Sequence, residues 1–421
     1  LFGAAFQFSG LPFHTGMLMT LEEKFQALRA ENAPGQEVRK GTVDIEAVMR
    51  GEKLTGVPVD FSHGDVDAFT PTPGALEAWQ DGFQRGGQQA YTEYRGASTI
   101  RDGLASRLGE FTGRAIDASD ELILTPGTQG ALFLALGATV TNGTRAAVME
   151  PDYFANRKLV RFFGGEMVPI TLHYQTDAGD AGPDMQRLED AFKQGVKVFV
   201  FSNPNNPTGV VYPQDKIDTI ARLASQHGVT LIVDQLYSRL LYSGETYSHL
   251  RASTHAPENL ITIMGPSKTE SLSGFRLGAA FGSSLLIERM ERLQAIVSLR
   301  AAGYSQAALE TWFNEPHGWM QQRIAEHESI RDDLLAVFRS AGFPTATPQA
   351  GSYLFPQLPE LSVDPLTFVG LLRHQAGVTV TGGTEFAPAL TTSVRLNYSQ
   401  DHKAAVAAAE RIVRMVEIYK S

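Results

Sequence analysis

The stretch Gly265-Pro266-Ser267-Lys268-Thr269-Glu270-Ser271-Leu272-Ser273-Gly274-Phe275-Arg276-Leu277-Gly278 lies between two apolar, strand-like runs, Leu260 to Met264 and Leu277 to Phe281. The gap between the runs is too short for a helical crossover, so one of the two strands is expected to be antiparallel or at a sheet edge. The loop itself carries one lysine and, eight residues on, one arginine. A lysine so placed can hold a carbonyl cofactor as a Schiff base, and a nearby arginine can grip a phosphate. Taken alone, a solvated surface lysine is the better reading. The partners decide.

Working outward, strand-like runs recur at Leu122–Leu124, Ala146–Met149, Met167–Leu172, Val196–Phe201 and Thr230–Val233. Helical patterns separate most of them, such as Lys216 to His227 with Gly228 as a natural stop. Near-continuous apolar strands alternating with helices imply an α/β architecture: a large domain whose mostly parallel, seven-stranded sheet lies between helices. Before it, Thr20 and Glu23 form a capping-box pattern, Val59 opens a short strand, and Leu76, Trp79 and Phe83 share a helical face. After it come a long helical region, Glu315 to Ser340, short strands near Ser352–Phe355, Val378–Thr381 and Val394–Asn397, and a last helix from Asp401. That helix is expected to turn Val406, Ala409, Val413 and Val416 inward. The organisation read from this is a large domain over 66–325 and a smaller α+β domain over 326–421 joined by the segment 20–65. Residues 1–19 read as an arm or an added tail.

The chain has 421 residues, 46 acidic against 36 basic side chains, a formal net charge of −10 and no cysteine. Two domains are the prior at this length. The acidic balance argues against a nucleic-acid or anionic-membrane partner. Without cysteine there are no disulfides, iron–sulfur clusters or thiol catalysis, which fits a reducing compartment. No run reaches the length of a membrane span and no signal peptide is evident, so a cytoplasmic enzyme is the default. No metal is called for.

In an open parallel sheet, ligands bind where strands end. After Leu124 comes Thr125-Pro126-Gly127-Thr128-Gln129-Gly130, a glycine-containing turn that opens a helix and can present backbone N–H groups to a phosphate. After Phe201 comes Ser202-Asn203-Pro204-Asn205-Asn206-Pro207-Thr208-Gly209, a rigid polar turn in which a cis bond before Pro207 is expected. After Val233 comes Asp234-Gln235-Leu236-Tyr237. A carboxylate at that edge needs a cation or several donors to stay charged.

Together, Asn-Pro-x-Asn-Pro-Thr-Gly, Asp-x-x-Tyr and Ser-Lys with an arginine eight residues on resemble, in order and spacing, the class I/II aminotransferases. These are pyridoxal-phosphate enzymes of the aspartate aminotransferase fold, and the resemblance runs from about Val59 to the end. It implies pyridoxal 5'-phosphate bound as a Schiff base to Lys268, and ping-pong transfer of an amino group from an amino acid to a 2-oxo acid. By the same resemblance Asp234 pairs with the pyridine nitrogen, Asn206 and Tyr237 donate to the ring hydroxyl oxygen, and Tyr153 stacks on the ring. Arg276, Gly127, Thr128, Gln129 and Ser267 surround the phosphate, and Tyr91 reaches the phosphate of a neighbouring subunit, which implies a homodimer with shared sites. Arg395 binds the substrate α-carboxylate, beside Asn206, and Gly64 leaves room for the substrate backbone.

Three positions depart from the family pattern. Gly265 stands where a hydroxyl residue is common. His63 beside Gly64 is not demanded. Arg300 lies near where a partner-subunit arginine for an acidic substrate is sought, although the register matches poorly. Lyases, decarboxylases and cyclising synthases of the same fold keep the same cofactor contacts and remain the alternative. Transcription regulators that carry an aminotransferase-like domain also carry a basic DNA-binding domain; residues 1–60 hold six basic against eight acidic side chains and are too short for one. The resemblance of residues 265–269 to a nucleotide phosphate loop is superficial, because the glycine spacing fails.

Overall fold

The computed structural model describes residues 20–28, 44–63, 68–175 and 180–421. The expectations for residues 1–19 and for Gly64 lie outside the described residues.

The strands are β1 (Val59–Asp60), β2 (Leu122–Pro126), β3 (Arg145–Glu150), β4 (Glu166–His173), β5 (Gly182–Pro183), β6 (Val198–Ser202), β7 (Thr230–Asp234), β8 (Leu260–Met264), β9 (Leu277–Gly282), β10 (Tyr353–Leu354), β11 (Val378–Thr379), β12 (Thr381–Gly382) and β13 (Val394–Asn397). The main sheet runs β2-β9-β8-β7-β6-β3-β4-β5. Strand β9 is antiparallel to both of its neighbours, as the short β8–β9 loop requires, and β3, β4, β6, β7 and β8 pair in parallel. The seven expected strands are all present. The eighth, β5, is a two-residue Gly-Pro edge antiparallel to β4, too short to leave an apolar run.

Strand burial explains why the sequence reads as continuous apolar runs. In β6, Val198 and Val200 face one side with Ile232, packing against the helices Gly127–Thr139 and Ser284–Val297. Phe199 and Phe201 face the other with Leu231 and Val233, against Met185–Lys193 and Gln214–His227. Both faces are covered, so the period-2 alternation hides two cores.

A separate core joins Phe61, Val59 and β11 to the helices Trp319–Ser340, Pro365–Ala376 and His402–Tyr419. Strand β1 pairs in parallel with β11, and this pairing brings the N-terminal segment to the C-terminal one. The last helix buries Ala405, Ala408, Ala409, Ile412, Met415, Val416 and Tyr419, whereas Val406 and Val413 sit at the flank. The inner stripe is thus rotated from the one expected: the alanines, being small, take the closest approach. The Thr20 capping box is present, with Glu23 N–H donating to Thr20 Oγ1 at 3.2 Å and Thr20 N–H to Glu23 at 2.7 Å.

The helix Ala75–Gln84 docks through Ala75 and Gly82, and its large apolar residues Leu76 and Phe83 are more than half exposed. A Cβ at Gly82 would lie 2.8 Å from Ala307 Cβ, which is why only glycine serves there. Tyr91, Ile296 and Val297 are exposed as well. Among the described residues, no helix is long and apolar enough to cross a membrane.

Candidate active site

The ends of β3, β6, β7 and β8 and the turn after β2 enclose a cavity of about 230 Å³. Lys268, Asp234, Asn206, Tyr237, Tyr153, Arg276 and Arg395 line it, together with Thr128, Gln129 and Ser267. Parallel strands deliver the loops carrying Asn206, Asp234 and Lys268 to one edge, and the separate antiparallel sheet of β10, β12 and β13 brings Tyr353 and Arg395 to it.

At one end stands the turn into the helix Gly127–Thr139. Gly127 has φ 73°, and a Cβ there would lie 2.5 Å from Arg276 Nη2. Gly278 on β9 lies equally close: its Cβ would meet Thr128 N at 2.5 Å. Two glycines therefore let the helix N-terminus and Arg276 approach each other, and both present N–H donors to the same space. Arg276 itself sits in the left-handed region, at φ 54°, with Nη1 donating to Ser273 O at 2.8 Å. This conformation is costly for a non-glycine residue and holds only where the surroundings impose it.

The loop carrying Lys268 is anchored on both sides. Glu270 pairs with Arg239, which also meets Glu315 at 2.7 Å, and Arg323 donates to Ser271 Oγ at 2.7 Å. Ser271 is likewise left-handed, at φ 57°. Burial pushes the Glu270 carboxyl up to about 7, against the pull of Arg239. The expected hydroxyl at position 265 has a structural replacement. A Cβ at Gly265 would lie 2.7 Å from Thr128 Cγ2, so Thr128 occupies the space from the neighbouring turn.

At the other end Asp234 closes β7. Its carboxyl accepts from Leu236 N–H at 3.0 Å, and burial pushes it up to about 6. Beside it, Tyr237 donates to Tyr353 Oη at 2.6 Å. Burial raises the Tyr353 phenol, but the positive charges of Arg395 and Lys268 together with hydrogen bonds from Tyr237 and Asn397 hold it below the usual tyrosine value. Tyr237 is raised, chiefly by burial. Tyr153 donates to Gln129 Oε1 at 2.9 Å and borders the cavity.

Arg395 is buried between the rings of Tyr353 and Phe386, 4.3 and 4.8 Å from their centroids. Nη1 donates to Asn206 Oδ1 at 3.2 Å, Nη2 donates to Ser62 O, and Nε has no hydrogen-bond partner. Such a group calls for an anionic ligand.

One expectation needs restating. The cis bonds precede Pro204 and Pro151 and not Pro207. Tyr91 lies outside the cavity, 70% exposed, with the Arg300 guanidinium 3.4 Å from its ring centroid. Sequence reading missed Tyr353, Ser62 and Ser202 as lining residues. The only signal for Tyr353 was an aromatic residue after Gly351-Ser352, and strands of that composition are common.

The family model for aminotransferase class I and II matches residues 58–412. The chain belongs to this family. It is a pyridoxal-phosphate-dependent aminotransferase with the α/β fold expected from the motifs. It is similar to the aspartate/prephenate aminotransferase of Thermus thermophilus, 29% identical over 408 residues that cover 94% of this chain and 98% of that one. Among solved structures it resembles an aspartate aminotransferase from Rhodobacter sphaeroides 2.4.1, at 60% identity and TM-score 0.91, covering 96% and 100% of the two chains. It also resembles the Thermus thermophilus aspartate aminotransferase solved with maleate, at 26% identity and TM-score 0.78, covering 90% and 100%.

Proposed function

We propose that the chain carries out its transamination on dicarboxylic amino acids and 2-oxo acids, with Lys268 as the residue that holds the cofactor. The observation that carries this reading is one cavity lined together by Lys268, Asp234, Arg276 and Arg395. The cavity fits pyridoxal phosphate. The glycine cradle at Gly127 and Gly278 would be filled by any Cβ, and a cluster of N–H donors surrounds it. Asp234 is a buried acid for which a pyridinium would supply the missing cation.

Bound there, the cofactor supplies a carbonyl that takes up the amino group and a ring that withdraws electrons from the substrate Cα. The protein does the rest. Lys268 Nζ would hold the cofactor's carbonyl and would serve as the base that takes and returns the Cα proton. Asp234 keeps a proton at the pyridine nitrogen. Asn206, whose Oδ1 is occupied by Arg395, has its Nδ2 left for the ring hydroxyl oxygen, next to Tyr237. Arg276, Ser267 and the N–H groups of Thr128 and Gln129 hold the phosphate, and Tyr153 covers the ring face. Arg395 receives the α-carboxylate between two aromatic walls that strengthen the ion pair by keeping water out.

The dicarboxylate preference draws on the aspartate aminotransferases among the relatives and on Arg300. Its guanidinium lies against Tyr91, and Nε and Nη1 have no hydrogen-bond partner. If Tyr91 reaches a neighbouring subunit's phosphate, Arg300 arrives with it as a cation for the distal carboxylate. The exposed apolar side chains of Leu76, Phe83, Tyr91, Ile296 and Val297 support a homodimer with shared sites. We assign residues 66–325 to the cofactor-binding domain, and 20–65 with 326–421 to the smaller one.

The test is a panel of amino acids added to the holoenzyme, with the cofactor spectrum followed and the products weighed. Aspartate and glutamate should convert the chromophore and yield 2-oxo acids in equal amount. Release of ammonia or carbon dioxide would instead indicate one of the lyase-type relatives. Borohydride should fix the cofactor to Lys268, and a label on another lysine would sink the assignment.

A further inference from the structure

Strands β3, β6 and β7 are neighbours, and Asp152, Ser202 and Asp234 stand in a row at or just beyond their carboxyl ends. Ser202 is the direct cross-strand partner of Asp234. Asp152 has no part in the chemistry described so far, yet it is 1% exposed. Its Oδ2 accepts from Ser202 N–H at 3.0 Å, and its Oδ1 from Tyr153 N–H at 2.7 Å and Asn205 Nδ2 at 3.4 Å. Ser202 Oγ also donates to Oδ1. These four donors are all neutral. An acid buried among neutral donors is a poor choice for stability, since an amide or hydroxyl side chain would satisfy N–H groups at lower desolvation cost.

What the acid does is set the hydroxyl of Ser202. Oriented by Asp152, Ser202 Oγ accepts from Asn206 N–H at 3.1 Å, and Asn206 Oδ1 accepts from Arg395 Nη1 at 3.2 Å. Two hydrogen bonds and the covalent frame of Asn206 between them thus connect Ser202, which Asp152 holds, to Arg395, through residues no more than 5% exposed. The same carboxyl tethers Tyr153 at its backbone.

We propose that Asp152 is a positioning residue of the transamination site, which acts through Ser202 to place Asn206 against the cofactor ring and Arg395 against the substrate carboxylate. The inference rests on the roles given to Asn206 and Arg395 above. Asp152 itself touches neither substrate nor cofactor.

The experiment uses holoenzyme carrying Asp152→Ala, Asp152→Asn, Ser202→Ala and the Asp152→Ala/Ser202→Ala pair. Two quantities are read besides turnover: the pH midpoint of the bound cofactor's absorbance change, and the Kd for maleate, an unreactive dicarboxylate. Each single alanine variant should weaken maleate about 3- to 10-fold, the range of one lost buried hydrogen bond. KM for the amino acid should rise in step, kcat should stay within about twofold, and the absorbance midpoint should move. The double variant should be no worse than the worse single one, because both break the same chain. Asp152→Asn, which keeps an acceptor oxygen, should fall between wild type and alanine.

Variants that melt earlier but keep the wild-type midpoint and maleate affinity would make Asp152 merely structural and overturn the proposal. Additive effects in the double variant would overturn the relay. If Asp152→Ala does not fold, Ser202→Ala reads the same link from the other side. A wild-type protein without a pH-dependent chromophore or maleate response would overturn the site assignment itself, and this inference with it.

Discussion

Thr128 and Gly265 share one space: Thr128 Cγ2 lies 2.7 Å from where a Cβ on Gly265 would stand. The hydroxyl common in the family three residues before the lysine cannot be accommodated while Thr128 keeps its methyl. Gly265→Ser should therefore lower stability by about 1–3 kcal/mol, the usual cost of overpacking. Adding Thr128→Ser, which removes only the methyl, should recover most of that loss. Thermal melts of the three proteins check this, and an unrescued double variant would refute the shared-space explanation.

Arg395 is placed so that truncation leaves its α-carboxylate ligand without a partner. Arg395→Ala should raise KM for amino acids by at least about 100-fold, in keeping with loss of a charge-assisted buried pair. Cofactor retention should change little by comparison. Steady-state kinetics alongside a cofactor dissociation assay separate the two, and unchanged apparent affinity would remove the role.

The buried carboxyls of the cofactor-free protein contribute a pH dependence of definite sign. Burial raises Asp152 to about 8, Asp234 to about 6 and Glu270 to about 7. At these three carboxyls folded protein binds protons that unfolded protein has released, so their contribution to stability is greatest below the unfolded values near 4 and falls as pH rises towards 8. The slope should not exceed about 1.4 kcal/mol per pH unit for each group. Asp152→Asn removes one of the three, and its melting temperature should gain on wild type between pH 5 and 8.5. A constant difference across that range would mean Asp152 is not titrating there.

The exposed side chains of Leu76, Phe83 and Tyr91 yield a prediction about assembly. Leu76→Glu/Phe83→Glu should shift the protein towards monomer in light scattering and reduce activity with it. Mixing Tyr91→Phe chains with Lys268→Ala chains should restore part of the lost cofactor affinity if sites are shared. A wild-type monomer would remove both expectations.

The strands and the order of motifs were legible because their causes are local. Apolar runs such as Leu260–Met264 mark a strand covered on both faces, and Asn206, Asp234 and Lys268 each follow such a run. Placing them together needed only the rule that parallel strands end on one edge. Other features were not local. Ala405 and Ala408 turn inward instead of Val406 because the closeness of the facing helix decides which side of a broad apolar stripe is buried. Leu76 and Phe83 share a helical face but stay exposed, because Gly82 lets the opposite side dock. Asp152, Ser202 and Tyr353 carry no motif, since their place in the site depends on which strands are neighbours. The sequence by itself therefore determined that Asn206, Asp234 and Lys268 follow strands and reach the cavity edge. Only the tertiary structure decided how they pair, including Thr128 in the space of a missing side chain at Gly265 and a buried acid behind Asn206 and Arg395, because hydrogen bonds and steric exclusion act over a few ångströms between residues far apart in the chain.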